Sequence, residues 1–138
     1  MNSKFTPIVK VRKQQMDKVE TLLAKARLQK SELEQQLTLV CKNIEETEVP
    51  ESGSISLMVC FRERLDILRK EKIKFDKDIL IKTNEINQLQ DKYKRTHIEY
   101  EKIKYLEKQD YEEWMDKIKK QEQLDMDEIS NMLFVNKG

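Results

Sequence analysis

The chain is poor in every residue type that breaks, staples or catalyses: it has 2 Gly, 2 Pro, 2 Cys and a single His and Trp among 138 residues. Pro7 and Gly138 stand at the ends, so breakers meet only once in the interior, at Val49-Pro50-Glu51-Ser52-Gly53-Ser54. That scarcity excludes folds built from many turns and any Gly-rich phosphate loop. Cys41 and Cys60 have no neighbouring His, which excludes zinc-finger spacing. His97, alone and at an outward helical position, reads as a surface residue rather than a base or ligand. No segment approaches the roughly 18 apolar residues of a membrane span, and Met1 to Lys13 has no signal-peptide core. The expected compartment is the cytosol, where both thiols stay reduced. A large excess of one charge is also missing: 27 Lys and Arg face 26 Asp and Glu, a net charge of +1. Nothing global draws the chain to nucleic acid or to a membrane surface. Acidic residues such as Glu107, Asp110, Glu112, Glu113 and Asp116 are spread around a helix instead of gathered in a cleft. The chain reads as a non-enzyme with no cofactor, no metal and no nucleic-acid partner.

What is present is periodicity. Hydrophobic and charged residues each make up 38% of the chain, and the apolar ones return at alternating steps of three and four, the pattern of a coiled-coil seam. Before the break, one set is Val9, Met16, Leu23, Lys30, Leu37 and Ile44. The other is Phe5, Arg12, Val19, Ala26, Leu33, Val40 and Thr47. After the break the sets are Met58, Leu65, Lys72, Ile79, Ile86, Tyr93 and Tyr100, and Phe61, Leu68, Phe75, Lys82, Leu89, Thr96 and Ile103. Thr6-Pro7 reads as a helix start, Thr as cap and Pro in the first turn. The expectation is an all-α fold: two long helices, about 7–47 and 56–131, in an antiparallel coiled-coil hairpin closed by a turn over about 48–55. At 1.5 Å per residue they are roughly 60 and 110 Å long, so the second overhangs the first.

Centring the turn on Ser52-Gly53 sets a register, because Gly tolerates the backbone angles that end a helix. Ile44 then meets Phe61, Leu33 meets Lys72 and Lys30 meets Phe75. Ala26 meets Ile79, Leu23 meets Lys82, Arg12 lies over Tyr93, and Phe5 meets Tyr100. No two charged seam residues meet, and the Lys and Arg stems lie on apolar surface. Cys41 and Cys60 fall too far apart along the axis for an unstrained disulfide.

Two surfaces are left over. Helix one runs out opposite Tyr100, and the seam frame is expected to fail at Glu107 and Asp110. Leu106, Tyr111, Trp114, Met115 and Ile118 follow in a shifted phase, as after a stutter, and Leu124, Ile129 and Leu133 continue the stripe. An uncovered apolar stripe on an isolated helix packs on another subunit, packs on a copy of itself, or frays. Trp114 either anchors such an interface or caps the hairpin end. At the turn, Ile55, Leu57, Met58, Val59 and Phe61 give more apolar surface than a tight seam needs, either local packing or a contact surface. Lys4, Lys10, Arg12, Lys13, Lys18, Lys25, Arg27 and Lys30 face only Asp17 and Glu20. That run is either a solvated face or a docking end for an acidic partner.

Phe5-Thr6-Pro7-Ile8-Val9-Lys10-Val11-Arg12, followed by Asp17 and Leu23-Ala24-Lys25-Ala26, resembles the opening of the FliJ family of flagellar export proteins. Lys102-Ile103-Lys104-Tyr105-Leu106-Glu107-Lys108 resembles that family's second-helix element, and Gln121-Glu122-Gln123-Leu124-Asp125-Met126-Asp127-Glu128-Ile129 its Glu-rich stretch. The resemblance implies a cytoplasmic protein peripheral to the inner-membrane type III export apparatus, similar to the central stalk of rotary ATPases. It implies a docking end that enters the export ATPase ring and promotes its assembly and activity: Lys4, Lys10, Arg12, Lys13, Leu106, Tyr111, Trp114, Met115 and Ile118. It implies that the hairpin tip, Ile55, Leu57, Met58 and Phe61, is free for the export gate membrane protein, and that empty export chaperones are further partners.

Other readings remain. A generic coiled-coil adaptor or homodimeric tether would self-associate through its overhangs. A prefoldin-like chaperone needs β-strands between its helices, for which the turn is too short. An RNA-binding arm needs a stronger basic excess.

Overall fold

The computed structural model describes residues 3–51 and 53–137. They form two helices, α1 (Thr6–Glu46) and α2 (Ile55–Lys137), of 41 and 83 residues. The fold is all-α, two long helices packed against each other as a helical hairpin. The chain divides into two compact units, one made of Met1–Asp17 and Lys94–Gly138, the other of Lys18–Tyr93.

Against expected helices over about 7–47 and 56–131, α1 spans Thr6–Glu46 and α2 spans Ile55–Lys137, so that α2 runs six residues past Asn131. Apart from Pro7 in the first turn, neither helix contains Gly or Pro, so nothing removes a ladder hydrogen bond from their interiors. α2 is unbroken through Glu107. The cap of α1 differs from the expectation. The Val9 N–H donates to the Phe5 carbonyl at 2.8 Å, so Phe5 holds the cap position and Thr6 is already helical. Ser3 closes the turn before it. The Thr6 N–H donates to its carbonyl at 3.1 Å, and the Phe5 N–H donates to its hydroxyl oxygen at 3.2 Å.

The unit Lys18–Tyr93 carries the loop and the hydrophobic centre. Leu23, Ala26 and Ile86 are buried together, with Leu89 packed on them. The Lys82 ammonium donates to Gln29 at 2.8 Å. Leu23 was expected opposite Lys82 and Ala26 opposite Ile79, so this unit is paired about one heptad further along α2 than the tight-turn register. The unit holding both ends shows the same displacement. Ser3 bonds Asp110, Arg12 pairs with Glu99 at 3.0 Å, and Met16 Sδ lies 3.4 Å from His97 Nδ1.

The loop explains the shift. Thr47 closes α1, its N–H donating to Ile44 at 3.3 Å and its hydroxyl to Asn43 at 2.6 Å. Thr47 and Glu48 then lie beside Phe61 and Arg64 on one surface. The chain therefore does not reverse tightly about Gly53; it runs out past the end of α1 and α2 begins beyond it. Ser52, half of the expected turn centre, lies outside the described residues. Gly53 has φ +152°, a conformation open essentially to Gly alone.

Candidate docking surfaces

Every seam position expected on α1 is buried or half-buried, and so is every one on α2 except Met58 and Lys72. Met58 is exposed because it stands above the end of α1. The shift also revises the charge pattern of the seam. Lys30 and Lys82 now stand at one level, so charged seam residues do share a layer. Each is turned to its own partners: Lys30 pairs with Glu34 at 3.9 Å, and Lys82 donates to Gln29 and to Glu85 at 2.8 Å. Arg12 is held by Glu99 and Gln15 instead of lying over Tyr93. His97 is exposed as expected, though its ring rests on the buried Met16 sulfur.

The unit Met1–Asp17 with Lys94–Gly138 brings together all nine residues expected at the docking end. α1 covers α2 further than expected. Ile103, Glu107, Asp110 and Trp114 are half-buried, so the frame does not fail at Glu107. It passes two acids through the seam, and the buried Ser3 hydroxyl donates to the Asp110 carboxylate. A carboxylate with a donor of its own tolerates the position an unpaired one would not. The change of phase comes after Trp114, where Ile118 follows at a step of four.

Around this seam the named residues take distinct places. Trp114, Met115 and Ile118 are half-buried, whereas Leu106 and Tyr111 are exposed. The Tyr111 and Trp114 rings lie 5.8 Å apart, tilted by 41°. Lys4 lies over the Phe5 ring at 5.2 Å. Lys13 and Lys104 approach the Tyr100 ring at 5.7 and 5.5 Å, a contact worth about 0.5–1 kcal/mol at exposed sites. Lys10 is exposed. A groove of 620 Å³ runs along Ser3, Thr6, Lys104, Tyr105, Lys108 and Tyr111. The surface is thus mixed: lysine heads over aromatic rings, with an indole and two aliphatic chains half open to solvent. It can bind a protein surface. Among the described residues no group of three or more His, Cys, Asp or Glu could hold a metal ion.

The tip belongs to the other unit. Ile55 is 84% exposed and Leu57 and Met58 about half exposed, while Phe61 is half-buried. Ile55, Met58, Val59 and Phe61 line a groove of 440 Å³ together with Arg62, Asp66 and Arg69.

Two surfaces escaped the sequence reading. Beyond Ile118 every described side chain is exposed, and the last turns carry Met126, Met132, Phe134 and Val135 as well as the expected Ile129 and Leu133. Reading α2 as ending at Asn131 hid Met132, Phe134 and Val135; Met126 lay within the expected helix but outside the expected stripe. A second stripe, Ile67, Ile73, Leu80 and Ile81, is 59–66% exposed on α2. The seven-residue spacing of Ile73 to Leu80, off the seam phase, was its signal. No helix of the described residues is long and apolar enough to cross a membrane.

The family model described as the flagellar FliJ protein matches residues 1–138. Neither a curated protein nor a solved structure matches the chain.

Proposed function

The chain belongs to the FliJ family of flagellar export proteins, and from that premise we propose that it is the coiled-coil stalk of a type III export ATPase. It acts by contact. The end carrying Lys4, Lys10, Lys13, Tyr111, Trp114, Met115 and Ile118 enters the ATPase ring and promotes its assembly and hydrolysis. The observation that carries this reading is the half-open apolar set Trp114, Met115 and Ile118 in the same compact unit as the lysine-bearing start of α1. Partly covered aromatics ringed by charge are what protein interfaces are made of. The tip, Ile55, Leu57, Met58 and Phe61, contacts the export gate membrane protein, and empty export chaperones are held by the same protein. The location that follows is cytoplasmic, at the periphery of the inner-membrane export apparatus.

The test is to mix the protein with the type III export ATPase encoded beside it and follow hydrolysis and ring assembly. Stimulation that is lost in Trp114→Ala supports the stalk. Absence of binding and stimulation contradicts it and leaves a tether built on pairing of the overhangs.

A further inference from the structure

Two exposed surfaces of α2 are complementary to each other. The first is the outward stripe of α2. Ile67, Ile73, Leu80 and Ile81 are 59, 66, 62 and 59% exposed. At 100° per residue they fall on one arc of the helix. Between Ile67 and Ile81 the same arc carries Lys70, Lys74 and Lys77, all exposed, against two acids close by: Asp78 borders it beside Ile67, and Asp66 lies on it one residue upstream. The second is the end of α2. Met126, Ile129, Met132 and Leu133 are 64, 55, 58 and 57% exposed and share one arc with Glu122 and Asp125. From Gln121 to Asn136 there is no Lys or Arg at all. Asp125 accepts from Gln121 at 3.0 Å, a neutral donor that leaves its charge intact.

We propose that the acidic, apolar end of α2 docks on the basic, apolar outward stripe of α2 in a second copy of this chain. Four large apolar side chains meet four, and acids meet lysines. The spans also agree: Ile67 to Ile81 covers about 21 Å of helix and Glu122 to Leu133 about 17 Å. Like-with-like pairing of two stripes would set lysine against lysine, and this pairing avoids it. The contact is heterologous, the end of one copy on the stripe of the next, so each copy keeps one free end and one free stripe and the assembly grows without closing at a dimer. A contact of this length buries less than the roughly 1,200 Å² of a stable complex. The association is therefore weak and, through its charges, falls with added salt. None of these residues belongs to the proposed ATPase docking set, so the two readings stand or fall separately.

Sedimentation velocity of the full chain, raised from about 1 to 200 µM, tests this. The expected result is a mass that climbs beyond a dimer and drops several-fold in apparent association at high salt. A stripe variant, Ile73→Glu with Leu80→Glu, and an end variant, Ile129→Glu with Leu133→Glu, are each expected to stay monomeric. Mixed in equal amounts they regain association, because the intact end of one meets the intact stripe of the other, and they stop at a heterodimer. Circular dichroism checks that both remain helical. If either loses helix, Lys74→Glu and Asp125→Lys replace them, each expected to weaken association and together to restore it. A chain that is monomeric throughout, a variant that associates as the parent does, or a mixture that stays monomeric overturns the proposal.

Discussion

At the scale of single residues, the structure depends on a few positions where the residue type matters. Gly53 has φ +152°, and a Cβ there would stand 2.5 Å from Leu57 Cδ1. Leu57 is exposed and its side chain can turn away, so the backbone angle sets the cost. Gly53→Ala is expected to lower stability by about 1–2 kcal/mol, read as a shift of the urea midpoint at unchanged slope. Ser3 is a second such position. Its hydroxyl accepts from the Phe5 N–H and donates to Asp110, so it ties the start of α1 to α2. Ser3→Ala leaves a half-buried carboxylate without that donor and is expected to cost about 1–2 kcal/mol and to speed amide exchange in the first turn of α1. Asp110→Asn, which can still accept a hydrogen bond, is expected to cost less. By contrast Arg12–Glu99 is about half exposed, and its loss is expected to change stability by less than about 1 kcal/mol.

At the scale of elements, the two helices are set by periodicity and their pairing by the loop. The register predicts which side chains can be linked. With Cys41 and Cys60 replaced by Ser, cysteines at Ala26 and Ile86 are expected to oxidise to a disulfide, since both side chains are buried in one cluster. Cysteines at Ala26 and Ile79, the pair of the tight-turn register, are expected to stay reduced. Non-reducing electrophoresis distinguishes the two. This contrast also marks where the sequence stops being informative. Apart from Met58 and Lys72, the seam positions from Phe5 to Ile103 could be read directly, because burial on a helix follows a step of three and four. A shift of one heptad maps every seam position onto another, so the apolar pattern is blind to it. Avoidance of charge pairs pointed to the wrong choice, because Lys30 and Lys82 have separate acceptors on their own helices and across the seam. The loop could have decided, but Val49 to Ser54 carries no pattern saying how far an extended segment runs beyond α1. The same blindness moved the apparent failure of the seam to Glu107. Ser3, a residue with no apolar signal, is what makes Asp110 acceptable there.

At the scale of the whole molecule, the proposed function rests on what the seam leaves uncovered. At the proposed docking end, Trp114, Met115 and Ile118 were expected to be uncovered; α1 reaches further than expected and they are half-buried, whereas Tyr111 and Leu106 are exposed. The separate apolar end of α2 was legible only in part, since it continues past Leu133 to Phe134 at 79% exposure. Tip and docking end lie in different compact units, so their variants are expected to separate. Met58→Glu is expected to leave ATPase stimulation unchanged and to impair export in cells. The central claim rests on the docking end, and the most direct test is stimulation of the export ATPase titrated with this protein and with Trp114→Ala. If Trp114 is an interface anchor worth about 2 kcal/mol, the half-maximal concentration rises roughly thirtyfold while helicity is unchanged. Equal stimulation by both proteins, or none by either, would contradict the account.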